Sequence, residues 1–239
     1  MPLIPAFFLR QRFLYAKIYI NKTNRDIAAV PIAKANSQAY AAYNEIKQRI
    51  FAGAFAPSDR LREIEVASLL DMGRTPVREA LKRIHDEGLL THEPGRGLVV
   101  TTMDQQDVTE LYAMREVLEG AAAAFAAQHA TAAEIDNMQA ILQEGENGDP
   151  VATNLKFHAA VYNAAHNRHL IRSLQSLTDT TYLLGRSTLS SPERAHIAMQ
   201  EHLDIVAAIR SRDAQRASQA AQRHIHQALL ERLKMLRQR

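Results

Sequence analysis

The chain has 239 residues, with 29 Lys and Arg against 26 Asp and Glu for a net charge of +3, 10 His, and neither Cys nor Trp. That length fits one large domain or two smaller ones, and 46% hydrophobic with 23% charged residues excludes a disordered or fibrous chain. Without Cys there can be no disulfide, thiolate nucleophile or Cys-based zinc finger, so any metal site must use His, carboxylate, amide or water ligands.

Few Gly and many Ala lean towards helix. The first 103 residues carry an excess of five positive charges, but all of that excess lies in residues 1–39; residues 40–103 hold nine basic and nine acidic side chains. Net charge therefore gives no warrant for nucleic-acid binding, which must rest on local placement. Residues 1–36 form an aromatic, basic extension in which Arg10, Arg12 and Lys17 interrupt the apolar run, unlike a secretory signal or a membrane span. A surface-lying membrane segment is one reading of it, and an unstructured tail or an upstream start codon is the plainer one. The cytoplasm is the default location, with no membrane partner.

Residues 37–103 read as a compact unit. Tyr43, Ile46, Ile50 and Phe51 share a helical face, and Gly53 stops it, predicting a helix over about 39–52. Glu63 to Leu70 predicts a short second helix, followed by the break Asp71-Met72-Gly73. A third helix follows, with Thr75 as its expected N-cap, Pro76 at its first position and Gly88 beyond its end. Helix, short helix, tight turn and longer helix are the parts of a helix-turn-helix.

The third helix divides into an apolar face of Val77, Ala80, Leu81 and Ile84 and a basic row of Arg74, Arg78 and Lys82 at spacing four. In the first turn, the helix dipole disfavours a cation by about 0.3 kcal/mol or more. Stability therefore does not explain Arg78, whereas presentation to a major groove does, since Arg contacts guanine edges and phosphates. The alternative is a solvated basic face with salt bridges to Glu79 or Asp86. Leu89 to Thr91 and Leu98 to Thr101 predict two strands joined across a Pro94-Gly95 tip, which places Arg96 at the end of a wing. His85-Asp86 has the form of a hydrolase metal dipeptide, but no companion His cluster lies near it in sequence.

The run Arg74-Thr75-Pro76-Val77-Arg78-Glu79-Ala80-Leu81, with Leu61-Arg62-Glu63 before it and Pro94-Gly95-Arg96-Gly97 after it, resembles the DNA-binding domain of GntR-family bacterial transcriptional regulators. That resemblance implies that Arg74, Thr75 and Arg78 contact DNA, with Lys82 and Arg96 placed to assist, and that Gly97 lets the wing approach the backbone. Gly73 stands where the family usually has Ser, and Ile64 where some members have an additional Arg.

From Asp104 onward the periodicity is helical throughout, with helices expected at about 105–129, 132–144, 151–166, 168–185, 192–210 and 213–237. Thr131 with Glu134 forms a capping box, and Ser191-Pro192 and Asp213 mark starts. There is no Gly-rich phosphate loop, nucleophile elbow or βαβ alternation. The fold class is thus mainly α: a winged helix-turn-helix over 37–103, then an all-helical domain over 104–239.

Arg115 falls on the apolar stripe of Val108, Leu111, Leu118, Ala122 and Phe125, and a buried Arg needs an anion. His158, His202 and His224 each fall on the inward stripe of a different helix, with Asn154 one turn before His158. One such His is ordinarily a hydrogen-bonded core residue, but three invite a shared ligand. His129, His166, His169, His196 and His226 lie at helix ends or off the stripes and read as structural or surface residues.

Arg115 with Glu119, Phe157-His158, Glu201-His202 and His224 resemble the FCD ligand-binding domain of the FadR subfamily, and six helices suggest its VanR-like branch. The resemblance implies a divalent metal ion of the Zn, Ni or Mn class held by Asn154, His158, His202 and His224, with Asn154 replacing the usual Asp. It further implies a small carboxylate effector clamped by Arg115, a homodimer, and double-stranded DNA with an inverted-repeat operator as partner. The expected role is a repressor, with an activator as the other direction of response. A metal-free effector pocket, or a metal-dependent hydrolase with a DNA-binding appendage, are the alternatives. No general base is evident beside the His, so no catalytic residue is assigned.

Overall fold

The computed structural model describes residues 37–238; the extension 1–36 lies outside the described residues. In chain order the elements are α1 (Ser37–Phe51), α2 (Glu63–Leu70), α3 (Arg74–Asp86), β1 (Leu90–Glu93), β2 (Gly97–Val100), α4 (Gln105–His129), α5 (Ala132–Gly145), α6 (Pro150–Ala164), α7 (Arg168–Thr181), α8 (Pro192–Arg210) and α9 (Ala214–Arg237). Two 3-10 turns, Tyr182–Leu184 and Thr188–Ser190, lie between α7 and α8. The chain is mainly helical, as its periodicity predicts.

These elements form two compact units. Of the described residues, the first unit runs to Thr102 and takes in Asp179–Gly185, and the second comprises Met103–Thr178 and the residues from Arg186 onward. The short segment 179–185 departs from the sequence reading, which assigned all of 104–239 to the helical domain. Its side chains explain its place: the Tyr182 ring stacks on Phe51 with centroids 4.2 Å apart, and Asp179 pairs with Lys47 at 2.7 Å. Lys47 is buried and also donates to Tyr43 and Glu87, each at 2.7 Å. Burial works to lower its pKa, but Asp179, Tyr43 and Glu87 outweigh burial and hold the pKa above its usual value.

In the first unit Ile46, Phe51, Val66, Val77, Leu81, Ile84, Leu89 and Val99 are buried, the inward faces expected of α1, α3 and the hairpin. β1 and β2 pair antiparallel from Leu90 opposite Val100 to Glu93 opposite Gly97. A bridge from Arg60 to Val99 adds a third short edge that the sequence pattern did not signal.

One local expectation is corrected. The N-cap of α3 is Gly73, which has no side chain to accept a bond, and Thr75 and Pro76 both lie inside the first turn. In the turn between α2 and α3 the left-handed residue is Asp71 at φ 52; a short polar side chain tolerates that conformation better than most.

The second unit is a bundle whose core joins α4, α5, α6, α7, α8 and α9. Small residues permit the close packing of α9 along α4: Ala122, Ala123, Ala126 and Ala127 on one side and Ala217, Ala220 and Ala221 on the other are all buried. A Cβ added at Gly120 would lie 2.9 Å from Gln222 Cγ and 3.0 Å from Ser218 Oγ, so the two helices meet there with no room to spare. The Thr131 and Glu134 capping box is formed, as are the Ser191 and Asp213 caps. Asp104 and Asp107 make a further capping box at the start of α4. Among the described residues, no helix is long and apolar enough to cross a membrane.

Candidate DNA-contacting face and imidazole cluster

In the first unit the apolar side of α3 is buried and the basic side is not: Arg74, Thr75, Arg78 and Lys82 are all exposed. Arg78 is held from below by α2, where Glu63 Oε1 and Oε2 accept from its Nε at 2.9 and 3.0 Å. Neither Glu79 nor Asp86, the partners considered from sequence, takes this role. Because only Nε is used, the two terminal nitrogens of a side chain 59% exposed remain available. The hydrogen bond to Arg78 lowers the Glu63 pKa, and reciprocally Glu63 raises that of Arg78, so the pair is ionised.

At the wing, Arg96 donates to Glu93 at 2.6 Å and to the Ser58 carbonyl at 2.9 Å while staying exposed. Gly97 has φ +83, a backbone conformation that a side chain would strain, and its missing Cβ leaves Arg60 Nη2 3.9 Å away. His85 and Asp86 are exposed and lie 3.6 Å apart. No other His stands with them among the described residues, consistent with a chance dipeptide.

In the second unit the three inward histidines converge. His158 Nε2 lies 3.2 Å from His224 Nε2, His202 Nε2 lies 3.3 Å from the same atom, and the three ligand atoms are within 4.8 Å of one another. All three rings are buried. The Phe157 ring, 4.4 Å from that of His202, closes one side.

Two carboxylates fix the tautomers. Glu119 Oε2 lies 2.7 Å from His158 Nδ1, and Glu201 Oε2 lies 2.7 Å from His224 Nδ1. An ionised carboxylate can only accept, so each Nδ1 donates to it, and in a neutral ring Nε2 is then the atom with the lone pair. Nitrogens 3.2 Å apart either share a proton or hold a cation between them. The spacing also suits nitrogens sharing one ion at bond lengths of about 2.0–2.1 Å.

Burial pushes the His202 pKa well down, with His224 and His158 adding to the effect, and burial likewise lowers that of His224. Both shifts favour the neutral imidazole, the form that can hold a metal ion. Asn154 is half-buried one helical turn before His158.

Behind the carboxylates stand two arginines. Arg115 donates from Nε at 3.1 Å and from Nη2 at 2.7 Å to Glu119 Oε1, so the anion that its place on the apolar stripe requires belongs to its own helix. Burial would raise the Glu119 pKa, but His158 and Arg115 outweigh it and hold the carboxylate far below its usual range. Arg194, 6% exposed, donates from Nη2 to Glu201 Oε2 at 2.8 Å. Sequence reasoning reached the three His and Arg115 but gave no role to Glu201 or Arg194. The available signal was spacing: Glu119 follows Arg115 by four, and Glu201 follows Arg194 by seven, one residue before His202.

Comparison with known proteins matches residues 38–100 to the bacterial regulatory proteins of the gntR family and residues 110–227 to the FCD domain. A probable D-xylose utilization operon transcriptional repressor from Paenarthrobacter nicotinovorans is 31% identical over 172 residues, 69% of this chain and 75% of that protein. The HTH-type transcriptional regulator YdhC of Bacillus subtilis is 29% identical over 192 residues, 77% of this chain and 86% of that one. Among solved structures, Escherichia coli McbR/YncC superposes with a TM-score of 0.70 at 23% identity, covering 84% of this chain and 100% of that one, a likeness of fold.

Proposed function

The chain belongs to the GntR family of bacterial transcriptional regulators and carries an FCD domain, and from that premise we propose that it is an operator-binding repressor whose DNA affinity is set by a small carboxylate at a metal-holding pocket. One observation carries the pocket: three buried Nε2 atoms converge while two of the rings are anchored through Nδ1 by Glu119 and Glu201. A carboxylate behind the imidazole is the arrangement that orients a metal ligand and raises its basicity.

His158, His202 and His224 are the ligands, and the Asn154 amide oxygen is the fourth donor. When bound, a Zn, Ni or Mn ion supplies a Lewis-acidic docking point for an effector oxygen. An amide in place of a carboxylate withholds one negative charge, which lowers affinity for the ion and strengthens the need for an anionic ligand. Glu119 and Glu201 are committed to the imidazoles, and Arg115 neutralises Glu119.

At the DNA, α3 enters the major groove. Arg78, aimed by Glu63, reads base edges with Arg74 and Thr75, Lys82 meets phosphate, and Arg96 and Gly97 bring the wing to the backbone. A homodimer reading an inverted repeat fits a family that binds through one recognition helix per subunit. The effector changes operator occupancy by binding two arrangements of that dimer with different affinity.

Mobility-shift assays on the operator test the DNA reading. Arg78→Ala is expected to abolish the specific shift while leaving the melting temperature unchanged, and retained specific binding refutes the assignment of α3. For the pocket, elemental analysis of untagged protein purified without chelator is expected to find a near-stoichiometric divalent ion. A thermal-shift screen of small carboxylates, with and without EDTA, then separates the readings: stabilisation that survives EDTA supports a metal-free pocket instead.

A further inference from the structure

The two carboxylates beneath the imidazoles look alike, but their arginines do not. Arg115 commits Nε and Nη2 to a single oxygen of Glu119. Arg194 spends only Nη2, on Glu201 Oε2, an oxygen that His224 Nδ1 already shares. Its Nε and Nη1 are buried with no hydrogen-bond partner. A guanidinium stays charged at any ordinary pH, and burying its N–H groups without acceptors is costly, so Nε and Nη1 are two buried donors suited to an acceptor that the protein does not itself supply.

Charge leads to the same place. Around the cluster Arg115 and Arg194 balance Glu119 and Glu201. A divalent cation on the three rings would add positive charge to that balanced set.

We propose that Arg194 is the residue that receives the effector's carboxylate, and that Arg115 is a positioning residue that holds Glu119. This rests on the proposed anionic effector and names the side chain that selects it. The guanidinium lies two hydrogen bonds from the cluster, through Glu201 and His224, so a ligand with two carboxylates can place one at the imidazoles and one at Arg194. Dicarboxylates are therefore favoured over monocarboxylates, and planar fork-to-carboxylate pairing is the source of the preference.

The test uses the full chain loaded with cobalt(II) and titrated with sodium malonate and sodium acetate, read by the cobalt absorption spectrum. A parallel thermal-shift series uses EDTA-treated protein. Wild type is expected to bind malonate more tightly than acetate. At saturating cobalt, Arg194→Met is expected to bind malonate about tenfold more weakly and to lose the preference. Arg194→Lys keeps the charge facing Glu201 but not the fork, is expected to show an intermediate loss, and decides the matter if the Met variant does not fold.

Equal malonate affinity in wild type and variant overturns the proposal. So does a fall in cobalt affinity alone, which would make Arg194 a positioning residue for Glu201, and so does the lack of any saturable response to either anion in wild type. Failure of wild type to take up cobalt refutes the metal reading instead; the EDTA-treated series then still tests Arg194, through malonate stabilisation that Arg194→Met should remove.

Discussion

Replacing Glu119 by Gln is the sharpest test of how the bundle holds its histidines. The carboxylate is 3% exposed and serves two cationic or donor groups at once: Oε1 takes both bonds from Arg115, and Oε2 takes Nδ1 of His158 at 2.7 Å. Gln keeps the shape but offers one acceptor where two are needed, so its NH2 must face either the guanidinium or the imidazole N–H. Its neutrality also leaves Arg115 buried without a counter-charge. Breaking a buried pair from one side costs about 3–5 kcal/mol. One hydrogen bond survives, and the Arg115 side chain keeps 13% exposure, so the lower end, about 3 kcal/mol, is expected. Loss of the carboxylate behind His158 should also weaken zinc by about 10–100-fold.

Urea unfolding of the metal-free protein and competition with a zinc chelator read the two effects. Glu116→Gln is the control, because its pair with His226 at 3.0 Å is solvent-exposed and worth about 0–1 kcal/mol. A Glu119→Gln protein within about 1 kcal/mol of wild type, with unaltered zinc affinity, would refute the role of this carboxylate as both counter-charge to Arg115 and anchor of His158.

Other consequences follow from single residues. Lys82→Ala, if Lys82 meets phosphate, should weaken operator and random DNA alike and reduce the slope of log K against log salt by about 1, as a fluorescence-anisotropy salt titration would read. Since burial holds the His202 and His224 pKa values below the ordinary 6.5, the unfolded chain takes up protons that the fold refuses. The stability of the metal-free protein is thus complete above that value and falls below it; a melting temperature unchanged between about pH 7.5 and pH 5.5 would contradict this. A Cβ at Gly145 would press on Thr153 Cβ at 2.9 Å, atoms that cannot swing aside, so Gly145→Ala should cost about 1–3 kcal/mol in thermal or urea unfolding. Gly73→Ser should raise the melting temperature slightly by supplying α3 with the cap it lacks, a gain of about a few tenths of a kcal/mol.

By itself the sequence determined the elements and their inward faces, because both are local. The span from Gln105 to His129, the cap at Thr131 and the buried side of α3 follow from periodicity and capping within a few residues of each position. The three inward histidines and the misplaced Arg115 were legible for the same reason: a helix of 3.6 residues per turn fixes which side chains share a stripe. The start of α3 was read less well: Thr75 was the expected N-cap, and Gly73 takes that place.

What only the tertiary structure decided is which stripes meet. Periodicity places His158, His202 and His224 on three helices 44 and 22 residues apart in sequence, and no local rule says that their Nε2 atoms converge at 3.2 and 3.3 Å. Nor does one say that Glu63 rather than Glu79 aims Arg78, or that Arg194 keeps two nitrogens free where Arg115 keeps none of the two it turns towards Glu119. Hydrogen-bond partnership depends on ångström-scale approach between helices, which the Ala-lined packing of the bundle sets and which sequence spacing does not encode.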